Sequence, residues 1–335
     1  MVFCHRREFL GTASVVAIWS CLLPEAWAAE ASPLVFGVIS PRAVEQTRSN
    51  WLPFVRRLGL AVERSMELIV YERQEQLVMA FKAKQVDLGW MGNVPALEVV
   101  ESGSGTVFAQ MVAKDGSSGY RSQIIVNSKA SGIDDLDDVL ANSKRLRFSD
   151  GDPKSTSGSL VPLYFAFQKR GVNDVRRIFA HYETGNHQSN LKKVATSAAD
   201  VATCNNEELA FFAKDFPELA SRIKVVWESP LIPQSPLVWR SGLASPLKKK
   251  IMKFVVGFGH NSSEEKDILL QVNGLSRFRE SSNRQLVPIA DLEMFKARQA
   301  INNDPSLSPA ERTSRIETVI KRGSKLELKL KLQGF

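Results

Sequence analysis

Short β-rich runs alternate with helical patterns along most of this chain, and that alternation constrains the fold more than any single residue does. "PLVFGVIS" reads as a buried strand, and "TRSNWLPFVRRLGLAV" behind it carries apolar residues at helical spacing. "MELIVYE" with "QEQLVMAFKAKQ" repeats the pair, and "VDLGWMGN" with "VPALEVVESG" repeats it again. Strand signals recur at "GTVFAQMVA", "RSQIIVNS", "RLRFSD", "ADVATC", "RIKVVWES" and "LVWRS". Such βαβα order predicts an α/β fold of mainly parallel sheets flanked by helices. Ligands of such sheets sit beyond the carboxyl ends of the strands. The number of elements predicts two sheets, hence two lobes. Residues 33–124 plus 233–290 form one, and 125–232 the other. The crossings fall near "QIIVNS" and near the proline-rich "SPLIPQSP". Residues 291–335 read as a helical extension and basic tail that includes the alternating "KLELKLKL".

The first residues stand apart from this pattern. "HRREFLGTASVVAIWSCLLPEAWAAEAS" carries Arg6 and Arg7, then Phe9 and Leu10, a moderately apolar stretch, and Ala26-Trp27-Ala28 as an A-x-A cleavage site. That is the layout of a secretory signal of the twin-arginine type, residues 1–28, cleaved near Ala28. It implies the twin-arginine export machinery as a partner and the periplasm as destination. The apolar stretch is shorter than the ~20 residues a membrane span needs. Trp19 two residues before Cys21 disfavours lipidation there. No later segment is long and apolar enough to cross a membrane, so a soluble mature chain is expected.

Cleavage removes Cys4 and Cys21 and leaves Cys204 alone, which excludes an intrachain disulfide. A lone thiol of this kind is most often a small buried hydrophobe. The formal charge of +8 is unaffected, because Arg6 and Arg7 are balanced by Glu8 and Glu25. Outside "SPLKKKIMKF" and the tail the basic residues are scattered, and no aromatic-basic interleaving suggests nucleic acid. An exported basic chain suits nucleic acid, an anionic membrane surface or small anions as partners, and a solvated charged face accounts for both basic runs.

No catalytic set is legible. Of four histidines only His187 lies in a polar loop, "TGNHQSN". There is no H-E-x-x-H, no G-x-S-x-G, no Walker loop, and no cluster with metal-ligand spacing. Neither enzymatic activity nor a cofactor is expected, and a phosphorus-ester hydrolase lacks its metal set. What does call for explanation is "GDPKSTSGSLVP". Asp152-Pro153 suits a turn, and the apolar load behind it suits a buried helix. Capping that helix needs one hydroxyl, yet Ser155, Thr156 and Ser157 stand in a row. Hydroxyls and free N–H groups at a helix start, where the dipole favours negative charge, can hold an oxyanion.

"DLGWMGN", "GDPKSTSGSLVP", "NHQSN", "DVATCNNEEL" and "KVVWESPLIPQSPLVWR" occur in this order. In sequence and spacing they resemble the phosphonate- and phosphite-binding proteins of bacterial ABC importers, from about Leu34 to Phe258. The resemblance implies a type II periplasmic-binding-protein fold, two α/β lobes closing on a ligand, and an ABC permease as partner. It makes Ser155, Thr156 and Ser157 the anion anchor and His187 a second contact. First-lobe residues near Met91 and Asn93 would cover the ligand. Glu207 matches a family carboxylate that holds the amine of an aminoalkyl phosphonate, although a plain acid at a helix start is an equal reading. Its partner aspartate falls at Ser235, and two pocket tyrosines fall at Met91 and Gln74. A preference for aminoethylphosphonate is therefore not expected. The competing class is a periplasmic sensor of a phosphorus or arsenic oxyanion that signals to a membrane histidine kinase.

Overall fold

The computed structural model describes residues 32–260 and 262–332, together with Met1 and Val2. The expected export signal, with Arg6, Arg7, Cys21 and the Ala26-Trp27-Ala28 site, falls outside the described residues. Two sheets organise the chain from residue 33 onward. The first has the order Leu275–Glu280, Gly105–Ala113, Pro236–Arg240, Leu88–Trp90, Leu34–Ile39, Met66–Tyr71. The second has the order Ile223–Glu228, Ser122–Asn127, Val201–Asn205, Arg147–Gly151, His181–Gly185. Directions are mixed. Leu34–Ile39 pairs parallel with both its neighbours, whereas Pro236–Arg240 runs antiparallel between Leu88–Trp90 and Gly105–Ala113. In the second sheet Ser122–Asn127 is antiparallel to both its neighbours. These reversed strands, Ser122–Asn127 and Pro236–Arg240, directly follow the crossings between sheets. The two crossing segments, Gly119–Tyr120 and Ile232–Pro233, pair antiparallel with one another.

Strand alternation decides which helix each residue meets. Phe36 packs against Trp51 and Phe54 of the helix Val44–Val62, whose buried residues Trp51, Phe54, Val55, Leu58 and Val62 recur at helical spacing. Gly37, its neighbour, faces the opposite way. A Cβ there would lie 2.6 Å from Leu77 of the helix Gln74–Lys82, so a glycine lets that helix approach. The central strands of the second sheet, Ser122–Asn127 and Val201–Asn205, are buried on both faces, which explains the apolar run "IIV". Ile124 and Val126 join one core, Ile125 the other. Cys204 belongs to this second core, fully buried, and burial pushes its thiol pKa up, so it stays protonated. An arsenite-capturing cysteine would need the opposite surroundings.

The tail is helical. Helices Val287–Asn302 and Pro309–Leu332 pack on one another, and Arg322 of the second pairs with Glu101. The alternating "KLELKLKL" is helix up to Leu332, because Leu326 and Leu330, four apart, bury together. Helical period wins over the period of two.

Candidate ligand-binding site

Carboxyl ends of strands from both sheets converge on one cavity. Ile39, Trp90, Gly151, Gly185 and Asn205 each end a strand, and each lines it. The helices that follow begin at Thr156, His187 and Asn206 from one side and at Gln74 and Asn93 from the other. Their first-turn N–H groups have no carbonyl ahead of them in the helix, and their dipoles point positive ends inward. The cavity holds about 70 Å³, well below the ~300 Å³ at which drug-sized pockets begin. A small ion fits; a nucleotide does not.

Ser155, Thr156 and Ser157 line the cavity and are buried. Ser155 is the cap: its Oγ accepts from Gly158 N at 2.9 Å. The helical run behind it opens in a wide π-type turn, Thr156–Leu160, a distortion that often marks functional positions. Gly151 and Gly158 meet backbone to backbone: a Cβ on Gly151 would lie 2.5 Å from Gly158 Cα, and one on Gly158 would lie 2.8 Å from Ser155 Oγ. Thr156 Oγ1 accepts from Val94 N at 2.9 Å, so one hydroxyl of the second sheet caps a helix of the first. Ser157 Oγ lies 3.3 Å from His187 Nε2 and 3.4 Å from Asn205 Nδ2. Only Ser155 is occupied as its own helix's cap.

His187 opens its helix, which Asn186 caps by accepting from Ser189 N at 2.8 Å. Burial pushes the imidazole pKa down and favours the neutral ring. Three lining residues carry polar atoms shielded from solvent without a hydrogen-bond partner: His187 Nδ1, Trp90 Nε1 and Gln74 Oε1. Buried polar atoms are normally paired, so three orphans around one cavity define a site that expects polar contents. Glu207 and Ser235 also line it. Glu207 Oε1 accepts from Gln234 Nε2 at 2.6 Å, and burial pushes its pKa from 4.5 to about 7.

Met91 and Asn93 stand elsewhere. Met91 is 0% exposed in the first core and is not a lining residue. Strand alternation explains it, since Trp90 and Gly92 face the cavity and Met91 between them turns away. Asn93 backs the wall, its Nδ2 donating to Pro233 O at 2.8 Å and its Oδ1 accepting from Gln285 Nε2 at 3.0 Å.

Sequence reasoning passed over Trp90 and Tyr120. The signal for Trp90 was present, because it sits two residues from Leu88 in a quoted strand. Tyr120 lines the cavity from the crossing segment, with its hydroxyl toward Ser157, Ser235 and Asn93. Nothing in "SSGYRSQ" marks it. Also unforeseen is an ion pair beside the cavity. Arg42 Nε and Nη2 donate to Glu208 at 2.8 and 2.9 Å, and Nη2 donates to Asn273 Oδ1 at 2.7 Å. Both partners are buried, 3% and 4% exposed. The Phe211 ring lies 3.7 Å from the guanidinium carbon. Arg42 follows a strand of the first sheet and Glu208 one of the second, so the pair ties the two together.

The family model for periplasmic substrate-binding proteins of phosphonate ABC transporters matches residues 36–286. The phosphonates-binding periplasmic protein of Escherichia coli (strain K12) is 36% identical over 306 residues, covering 91% of this chain and 89% of that protein. A crystal structure of a binding protein component of an ABC phosphonate transporter from Pseudomonas aeruginosa superposes with a TM-score of 0.82 at 36% identity. It covers 89% of this chain and 98% of that one. A Prochlorococcus marinus protein crystallised with methylphosphonate shares the fold, with a TM-score of 0.70 at 22% identity over 78% of this chain and 98% of that one.

Proposed function

This chain belongs to the periplasmic phosphonate substrate-binding family of ABC transporters, and from that premise we propose that its cavity captures a small phosphorus oxyanion, a phosphonate, phosphite or phosphate. The observation that supports this most is the ring of neutral donors around about 70 Å³, with His187 Nδ1 and Trp90 Nε1 unpartnered. Ser155, Thr156 and Ser157 anchor the anion through hydroxyls and helix-start amides, and His187 adds a ring N–H. Each charge-assisted hydrogen bond contributes ~1.5–3 kcal/mol, so three or four support tight binding once desolvation is subtracted. Gln74 and Ser235 form the opposite wall, with Met91 and Asn93 behind it.

Capture works by closure about the two crossing segments, between lobes of residues 33–124 plus 233–290 and 125–232. Bonds between the sheets, such as Val94 to Thr156 and Arg42 to Glu208, describe the closed form. Release at the permease reopens it. Capture and release without a chemical step is the reading that the family supports, since its members are substrate-binding components of transporters. The N-terminal layout supports twin-arginine export with cleavage after Ala28, which fractionation and N-terminal sequencing of the secreted chain test directly.

A thermal-shift panel of methylphosphonate, phosphite, phosphate, aminoethylphosphonate, sulfate and arsenite tests the ligand class. A ligand at a hundred times its Kd stabilises the native state by about 2.7 kcal/mol. Shifts with the phosphorus oxyanions are expected. A shift with arsenite alone, or with none of the panel, overturns the assignment.

A further inference from the structure

The charged residues that line the cavity are all acidic: Glu72, Asp152, Glu207 and Glu208, with no lysine or arginine among the described lining residues. Arg42, whose partner Glu208 lines the cavity, is already committed to that acid by two hydrogen bonds. Every donor that the described lining offers is therefore neutral, and Glu207 is one of the acids that borders so small a space. A doubly charged, acceptor-only anion would meet that carboxylate acceptor to acceptor. Gln74 Oε1, unpartnered and shielded, is a second acceptor, on the wall opposite. Acceptors in the wall call for a donor on the guest.

We propose that the site takes its anion with one proton, shared between a phosphorus oxygen and the Glu207 carboxylate, and that this shared proton separates phosphorus oxyanions from sulfate and sulfonates. The inference rests on the phosphonate assignment above. Phosphorus oxyanions of this kind hold a second proton with a pKa near about 6 for phosphate esters, whereas sulfate and sulfonates carry none near neutrality. The groups around Glu207 favour retention of the proton. Burial raises its affinity for protons most, and Glu208 and Asp115 raise it further. Gln234 and the more distant Arg42 oppose them. On the outer side, Lys114, Arg121 and Lys214 line a separate cavity that Glu207 also borders. Tyr120, between the two cavities, keeps its own proton because burial pushes its pKa up.

Isothermal titration of the full chain with methylphosphonate, in pairs of buffers with different ionisation enthalpies, reads the proton directly. Uptake should approach about one proton per site near pH 9, where both partners start ionised, and fall away toward pH 6. Methanesulfonate should bind at least about tenfold more weakly than methylphosphonate at pH 8. It should gain affinity as the pH falls, because Glu207 must then supply the proton. Glu207→Gln, whose amide can donate to an acceptor-only ion, should abolish the uptake and narrow the gap by about tenfold. Methylphosphonate binding near pH 9 without proton uptake, or methanesulfonate binding equally well in the wild type, overturns the shared proton while leaving the phosphonate assignment intact. Failure of every phosphorus oxyanion to bind overturns the assignment itself and the proton with it.

Discussion

Two polar regions meet where the sheets face each other, and they handle buried charge in opposite ways. Arg42 and Glu208 are permanent neighbours of opposite sign, each hydrogen-bonded and almost wholly out of water. The cavity beside them holds hydroxyls, an indole, a neutral imidazole and helix-start amides, with no cation among its described lining residues. The difference follows from occupancy. A resident counter-ion justifies a buried charge at all times, whereas a visiting one would leave a buried arginine unpaired at each release, at a cost of several kcal/mol. Neutral donors can be rehydrated when the ligand leaves. A site that must fill and empty is therefore better built from dipoles than from ions.

The contrast breaks first at the anchor. Thr156→Ala with Ser157→Ala removes the two proposed anchor hydroxyls, and the loss of two charge-assisted bonds corresponds to roughly 3–6 kcal/mol. Methylphosphonate affinity should fall by at least about tenfold, and closer to a hundredfold or more, while circular dichroism reports an intact fold. Calorimetry that returns an unchanged Kd would remove the Ser-Thr-Ser turn from the site. The ion pair should behave differently. Arg42→Met leaves Glu208 buried and uncompensated, which costs about 3–5 kcal/mol of stability. Adding Glu208→Leu should restore most of it, because apolar replacements tolerate burial. If the double variant melts no higher than the single one, the pair is not an isolated buried unit.

Glu207 sharpens the comparison, since it is a buried acid without a dedicated cation. Its pKa is raised in the folded chain from 4.5 to about 7. The folded state therefore binds more protons between those values. Its contribution is fully present below pH 4.5 and is lost as the pH rises through 7, a change of roughly 3 kcal/mol at most. Glu207→Gln should raise the ligand-free melting temperature at pH 8 and flatten the stability profile between those values. A slope from Asp150 should remain, because burial raises that carboxyl to about 7 despite a 2.9 Å bond from the Tyr182 hydroxyl. Unchanged profiles in the variant would mean that Glu207 stays ionised throughout.

The smallest expected effect concerns the amine. With Ser235 in the wall, aminoethylphosphonate should bind no better than methylphosphonate, phosphite or phosphate. Ser235→Asp should shift preference toward the aminated ligand by about ten- to a hundredfold, the value of one charge-assisted contact. Titrations in a single buffer decide this, and a wild-type preference of tenfold or more for aminoethylphosphonate would show that another acid completes an amine site.

Local chemistry was legible in the amino-acid order. Strand and helix periods and the hydroxyl-rich turn after Asp152-Pro153 depend on residues within a few positions of one another, so a linear reading reaches them. The lone Cys204 could likewise be expected in a core. Tertiary structure decided which side chains share a cavity. Trp90 and Met91 are adjacent, yet a pleated strand sends one into the cavity and the other into the core, and sequence alone does not say which face is which. Tyr120, the Val94–Thr156 bond and the Arg42–Glu208 pair join residues 62 to 166 positions apart or depend on a crossing between sheets. Their partners are set by how two sheets meet, and no local period records that. The sequence determined that three hydroxyls stand in a row at a helix start, the local chemistry that suits an oxyanion. Packing decided that the described lining sets neutral donors beside buried acids, with Arg42 already paired to Glu208.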